Sequence, residues 1–315
     1  MLNYHNSSPI PNSSFLIPNF SRLIPHFSFI ILYFFLFIVS CATLSQVEGS
    51  AESLESVSPR WMTVQASGLD YFAGKVSRPR IEFYALRVDL TEPNLRIVVV
   101  PGGSYDGKTV SVRVSSFVRD KGLLAGINAL PFDAVSDIEG EPRTNVGLVI
   151  ADGATFSPPH RNFDALVFYK DGRVAITAQS EITDFDSIEN AVGGFYRILE
   201  HGELVPRVLN LNDSAGVKHP RHPRSAAGIS PDNRFLYLLV IDGRQIKSIG
   251  STEAETALLL RALGATEAIN FDGGGSSALV LRSPDGKVRV VNTPIHDQIP
   301  GRERAVAGCL GIGSR

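Results

Sequence analysis

Two cysteines in 315 residues, Cys41 and Cys309, are too few for a disulfide framework or a thiolate zinc site. No His-Glu-x-x-His pair occurs, which removes the metalloprotease pattern, and no Gly-x-Ser-x-Gly elbow occurs, which removes the usual serine-hydrolase turn. No Gly-Lys-Ser/Thr follows a glycine-rich loop, so there is no P-loop. Neither sign of charge is in excess. Lys and Arg number 30 against 32 Asp and Glu, a net charge of −2, without the basic footprint of a nucleic-acid binder. Beyond Trp61 there is no internal repeat and no low-complexity break. What the chain does have is 43% apolar and 20% charged residues, the balance of a folded domain rather than a disordered one. Its 28 Gly and 19 Pro promise many turns and a β-rich fold.

The first forty residues stand apart. They hold no Asp, Glu or Lys, Arg22 is their only fully charged side chain, and 7 of the 18 Phe fall there. Residues 27–39, FSFIILYFFLFIV, are apolar but for Ser28. That is the length of a signal-peptide core and short of the ~20 residues a spanning helix needs. The run ends in Ile38-Val39-Ser40-Cys41, which resembles the lipobox of bacterial lipoproteins, where the cysteine becomes the lipidated first residue. Residues 1–40 are thus expected to be a signal peptide and Cys41 a lipid anchor. The alternatives are an ordinary cleaved signal, or an uncleaved anchor stretched to Leu44. All three export the domain, to the bacterial periplasm or outer surface. Residues 41–60 are rich in Ser and Glu with no hydrophobic period and read as a flexible tether. The folded domain is expected over 61–315. Cys309 sits in the apolar AVAGCLGIG and reads as a buried, inert thiol.

Strand patterns come often in the folded part. Residues 83–90 alternate apolar and polar, and 95–100 (LRIVVV) are continuously apolar, as in a strand covered on both faces. Three hairpins are expected. Segments 165–169 and 174–178 flank Lys170-Asp171-Gly172-Arg173, 196–199 and 203–205 flank His201-Gly202, and 279–282 and 288–291 flank Pro284-Asp285-Gly286. Residues 235–241 (FLYLLVI) read as the most buried strand and 305–312 as the closing one. Helices are fewer. Residues 111–121 carry Val114, Phe117 and Val118 at helical spacing; 252–263 open with Thr252 and Glu255 in capping-box spacing and stop at Gly264. About eleven strands against two or three helices predict a single α+β domain with a mixed or mainly antiparallel sheet.

The chemistry concentrates in Ala268-Ile269-Asn270-Phe271-Asp272-Gly273-Gly274-Gly275-Ser276-Ser277. A buried strand ends at Asp272, then come three glycines, two hydroxyls and another strand. Successive glycines let backbone N–H groups converge into an anion nest, and a carboxylate at its rim is a candidate base, nucleophile or metal ligand. A merely structural turn needs fewer glycines. His219-Pro220-Arg221-His222-Pro223-Arg224 brings basic groups before a strand; Arg224 is a phosphate candidate, while His219 and His222 fit a solvated loop better. Asp242 and Arg244 end the FLYLLVI strand, Glu255 is explained by its cap, and Asn128 ends the strand-like 123–127 segment.

Read together, these segments resemble the phosphodiester glycosidase family over 83–312. Asn128 with Phe132-Asp133 resembles its Asn-Gly-Gly-Phe-Phe segment, residues 146–153 its strand ending in Asp-Gly, and residues 223–228 its Pro-Arg-Thr-Ala-Ile-Gly. Residues 240–244 resemble a strand-Asp-Gly-Arg element, and 268–277 the hallmark Asn-Leu-Asp-Gly-Gly-Gly-Ser-Ser. Val291-Asn292-Thr293-Pro294 and Glu303-Arg304-Ala305-Val306 resemble the closing segments. Asn128 is followed by Ala129-Leu130-Pro131 rather than two glycines, and that departure is expected to reshape specificity if the loop lines the pocket. The resemblance implies an exported hydrolase that cleaves the C1–O bond of a sugar-1-phosphodiester of the N-acetylglucosamine type and leaves a phosphomonoester on the other alcohol.

Asp272 is then the first candidate nucleophile or base, Asp242 the second and Glu255 the third. Arg224, Arg244, Arg304, Asn128 and the loop from Gly273, Gly274 and Gly275 through Ser276 and Ser277 are candidates for holding substrate and phosphate. No cofactor is required by this chemistry, and a divalent cation beside Asp272 is left open. Two other readings use the same residues: a surface lipoprotein that binds anionic glycan without cleaving it, and an accessory protein of envelope polysaccharide assembly.

Overall fold

The order of strands, rather than their number, decides where Asp272 ends up. The computed structural model describes residues 54–99, 107–136, 138–209 and 220–315. Residues 1–40, Cys41, most of the expected tether and His219 lie outside these. The described residues belong to one compact unit, Glu48–Arg315.

An eight-stranded antiparallel sheet runs in the spatial order Met62–Thr63, Leu69–Val76, Ile81–Asp89, Phe235–Ile241, Arg224–Ile229, Glu267–Asn270, Tyr196–Glu200, Glu203–Leu204. A five-stranded sheet orders Ala154–Ser157, Val149–Ala151, Ile188–Gly193, Asp164–Tyr169 and Val174–Ala178. A second orders Val288–Val290, Leu279–Arg282, Ala125–Asn128, Cys309–Ser314 and Leu95–Val99, and a small third sheet joins Lys108–Val110, Pro142–Asn145 and Phe132–Asp133. Among the described residues they are accompanied by the helices α1 (Val114–Asp120), α2 (Pro206–Leu209) and α3 (Glu253–Leu263). The architecture is α+β with antiparallel ladders, as expected. Among the described residues no helix is long and apolar enough to cross a membrane.

Period-2 alternation in the central strands serves two cores. Leu236, Leu238 and Val240 join the cluster shared with the other sheets, while Tyr237, Leu239 and Ile241 join the cluster under α3. Burial on both faces is why FLYLLVI reads as an unbroken apolar run. Helix α3 starts where Thr252 accepts from the Glu255 N–H and Glu255 accepts from the Thr252 N–H, and it ends at Gly264 with φ 115°, a left-handed stop suited to glycine. His201 and Gly202, φ 51° and 81°, turn the hairpin between Tyr196–Glu200 and Glu203–Leu204.

Several boundaries differ from expectation. The strand within 95–100 is covered on one face by Leu95, Ile97 and Val99 in the shared core and on the other only in part, by Val98 against the α1 cluster. Leu95–Val99 is an edge strand with Arg96 exposed and only Leu95 and Val99 fully buried. The closing strand begins at Cys309, because residues 305–308 are spent on crossing to the site, with one bridge from Val306 to Val112. The strand count was underestimated because many ladders have only two to four residues, too short for a period to register. Inside the stretch read as tether, Leu54 is fully buried in the α3 cluster and Glu55 pairs with Arg261. Cys309 is buried, and burial pushes its thiol well up.

Candidate active site

The Glu267–Asn270 strand lies between Arg224–Ile229 and Tyr196–Glu200, so the chain leaves the middle of the large sheet at Asp272. There it meets the second five-stranded sheet. The Asp272 N–H donates to the Ala129 carbonyl at 2.9 Å. The next turn is a short 3-10 segment, Gly274–Ser276, with Gly274 at φ 61°.

Two asparagines clamp this loop. Asn128 Nδ2 donates to the Asp272 carbonyl at 2.6 Å, and its Oδ1 accepts from the Ala278 N–H at 3.1 Å and from the Ser225 hydroxyl at 2.7 Å. Asn292 Nδ2 donates to the Ser277 carbonyl and to Asp242 Oδ1, both at 3.1 Å, and its Oδ1 accepts from the Leu279 N–H at 2.9 Å. Asn128 has no exposed surface. It therefore holds the loop from within instead of touching substrate. Ala129 and Leu130 are buried as well, so the departure after Asn128 changes the core and not a pocket wall.

Asp272 is partly buried. Burial pushes its carboxyl up to about 6, against the Ser276 hydroxyl, the nearby Arg304 and the Gly273 N–H, which favour the charged form. Arg304 Nη1 donates to Ser276 Oγ at 3.2 Å and Nε to His296 Nδ1 at 3.1 Å. Arg244, exposed and at φ 58°, comes from the other side, with Nη2 3.3 Å from His222 Nδ1. Burial first and then the neighbouring Arg244 lower the proton affinity of Arg304, and burial followed by Arg224 and Arg244 lowers that of His222. Two cations are thus held near each other at the glycine loop, with Arg304 beside the Asp272 carboxylate, an arrangement that suits an anionic ligand.

The loop spends some of its backbone N–H groups on its own turn and on the neighbouring segment. The Gly274 N–H donates to the Pro223 carbonyl at 2.9 Å, Ser276 N–H to Gly273 and Ser277 N–H to Gly274. The Gly273 N–H faces the Asp272 carboxylate and the Gly275 N–H has no protein acceptor among the described residues, so part of the expected nest stays open. The glycines also leave room. A Cβ on Gly273 would meet the Pro223 carbonyl oxygen at 2.8 Å, one on Gly274 would lie 3.2 Å from Arg244 Nη2, and one on Gly275 would overlap Arg304 Nη2. Only glycine lets both arginine forks lie on the loop backbone.

The remaining candidates are engaged elsewhere. Asp242 is buried, accepts from Asn292 and from the Thr293 N–H at 3.0 Å, and burial raises it to about 6. With these partners it fixes the 292–293 segment and faces no open space. Glu255 is committed to its cap and to a two-pronged ion pair with Arg221. Arg224 is partly buried and bonded to the Ser251 and Pro220 carbonyls and to Glu253 at 3.4 Å; it ties the start of α3 to the 220–224 segment. A divalent cation beside Asp272 would have to share the carboxylate with Arg304. Among the described residues no three His, Cys, Asp or Glu converge, so the donor set does not suit a hard cation. Asn270 Oδ1 and Ser277 Oγ, on either side of Asp272 in the chain, are buried without partners and are unused hydrogen-bonding capacity at the loop.

Sequence reasoning missed two residues. His222 was read as part of a solvated loop, yet it abuts Arg244. His296 lies in no motif, and nothing in its sequence setting announces that it meets Arg304.

The family model described as phosphodiester glycosidase matches residues 121–313. The SPbeta prophage-derived uncharacterized protein YomE of Bacillus subtilis is 27% identical over 267 residues, which are 80% of this chain and 39% of that protein. The chain thus spans about two fifths of that relative. The catalytic domain of zebrafish N-acetylglucosamine-1-phosphodiester alpha-N-acetylglucosaminidase, auto-inhibited by its pro-peptide, superposes with a TM-score of 0.61 at 20% identity, over 82% of this chain and 89% of that one. A hypothetical protein from Synechocystis superposes with a TM-score of 0.60 at 14% identity, over 82% and 64% of the two chains. These two likenesses establish the shared fold. The match over 121–313 includes the Asp272 loop, Arg244 and Arg304, and the chain belongs to the phosphodiester glycosidase family.

Proposed function

We propose that this loop hydrolyses the C1–O bond of a sugar-1-phosphodiester, with N-acetylglucosamine as the sugar type, freeing the sugar and leaving a phosphomonoester on the other alcohol. The observation that carries this reading is the Arg304–Ser276–Asp272 array with Arg244 opposite. Arg244 and Arg304 hold the non-bridging phosphate oxygens. The bond from C1 breaks with its electron pair going to the phosphate oxygen. Such a leaving group is weakly basic, so charge stabilisation matters more than proton donation. This suits a site with two guanidiniums and one carboxylate. At neutral pH Asp272, titrating at about 6, is ionised and serves the oxocarbenium-like state at C1 as nucleophile or base. Water supplies the hydroxyl that ends on C1. With Asp242 and Glu255 bound to protein groups, Asp272 is the carboxylate assigned to this role.

The proposed place of action is the bacterial envelope, with Cys41 as lipid anchor. The support is the apolar run 27–39 followed by Ile-Val-Ser-Cys. The test of the activity is incubation of the protein with an aryl N-acetylglucosamine-1-phosphodiester. Free sugar that appears with wild type and not with Asp272→Asn supports the reading. Release unaffected by that substitution, or no release, contradicts it.

A further inference from the structure

The contact between Arg304 and His296 is built more carefully than a surface pair requires. His296 is buried, in a one-turn 3-10 segment, His296–Gln298, whose Asp297 and Gln298 both adopt left-handed backbone, φ 52° and 62°. Two successive non-glycine residues in that region are unfavourable and persist only where surroundings impose them, typically at functional sites. The surroundings here are specific. The His296 N–H donates to the Arg302 carbonyl at 3.1 Å, Ile299 N–H to the His296 carbonyl at 3.0 Å and Gly301 N–H to the Pro294 carbonyl at 2.7 Å. Ile295 bridges Arg302, and Arg302 Nη1 holds Asp297 Oδ2 at 3.2 Å.

The product of this strained turn is one ring nitrogen aimed at Arg304 Nε, 3.1 Å away. A guanidinium is a donor only. His296 Nδ1 must therefore be the acceptor, which puts the ring proton on Nε2 and leaves the imidazole neutral. Asp297 Oδ1, 3.5 Å from the same nitrogen, makes the opposite demand: a proton on Nδ1 would serve Asp297 and drive Arg304 away. With Nε on His296 and Nη1 on Ser276, the fork is fixed at two points, and Nη2 lies over Gly275 with no acceptor among the described residues.

We propose that His296 is a positioning residue for Arg304. Its neutral Nδ1 holds the guanidinium so that Nη2 is free to take a phosphate oxygen at the Asp272 loop. This rests on the reading above only in that Arg304 is taken as the phosphate-holding cation.

The probe is inorganic phosphate, followed by calorimetry on the full chain, beside steady-state kinetics on the aryl phosphodiester. His296→Leu removes the acceptor, and His296→Asn keeps one at the Nδ1 position. His296→Leu is expected to weaken phosphate binding and raise KM by about tenfold or more, with a smaller change in kcat, whereas His296→Asn stays within about threefold of wild type. A purely structural role would move both variants together through stability and would not be rescued by Asn. Phosphate binding by His296→Leu equal to wild type, while Arg304→Ala loses it, overturns the role of His296 and leaves the proposed function standing. Equal binding by Arg304→Ala and wild type overturns the phosphate assignment itself. Nitrogen-correlated NMR of the wild type gives a readout that does not depend on any variant folding: a proton on Nε2 is expected, and a proton on Nδ1 overturns the proposal.

Discussion

Asn128 Nδ2 donates to the Asp272 carbonyl at 2.6 Å, across 144 positions of sequence. With its Oδ1 on Ser225 and Ala278, this one amide ties the large sheet, the second five-stranded sheet and the glycine loop together. Asn128→Ala leaves three partners unsatisfied in a buried place. It is expected to cost about 3 kcal/mol of stability, read as a lower denaturation midpoint. An unchanged midpoint with activity lost would restore Asn128 as a substrate ligand.

Gly275 makes a sharper probe of the loop. Its missing side chain leaves room for the Arg304 guanidinium, which a Cβ there would push off its contacts with His296 and Ser276. Gly275→Ala is expected to leave stability within about 1 kcal/mol of wild type while sugar release falls by about 100-fold, because the fork is displaced from the phosphate. Retained activity in that variant would mean that Arg304 is not pressed on the loop during turnover.

Glu255 separates a cap from a catalyst. Glu255→Ala removes the capping box of α3 and leaves Arg221 without its carboxylate. A loss of about 2–3 kcal/mol is expected from these two effects, with kcat per folded molecule unchanged. Loss of turnover in a fully folded sample would contradict this assignment.

Burial raises both Asp272 and Asp242 from 3.8 to about 6. Each holds its proton more tightly folded than unfolded, so the folded state loses stability as pH rises from about 4 to about 6. The fall is roughly 3 kcal/mol for each group. Asp272→Asn is expected to remove one share of it, measured as denaturation midpoints at low and neutral pH. Parallel pH curves for wild type and variant would contradict the burial of that carboxyl. In the wild type, kcat/KM is expected to rise with pH through about 6 as Asp272 ionises.

Elements with strong local chemistry were legible in the sequence. Thr252, Glu255 and Gly264 mark both ends of α3 because capping is decided within four residues. His201-Gly202 marks a hairpin because both residues must adopt positive φ. The Asp272 loop stood out as a candidate site from its glycines, but the contacts that hold it were not legible. The same glycines leave some N–H groups open and cushion two arginines, and which amide is taken, as Gly274 is by the Pro223 carbonyl, is decided by tertiary contact. Arg224 looked like a phosphate ligand and proved to be tied to Glu253. Whether an arginine faces solvent or a helix start depends on residues some thirty positions away. His296 was invisible for the same reason: its partner and its strain are both tertiary.

The account stands on which bond breaks. The most direct measurement is hydrolysis of an aryl N-acetylglucosamine-1-phosphodiester in water labelled with heavy oxygen, followed by mass analysis of both products. The account predicts label in the C1 hydroxyl of the freed sugar and none in the phosphomonoester, with the reaction lost in Asp272→Asn. Label in the phosphate would place the cleavage at phosphorus and contradict it.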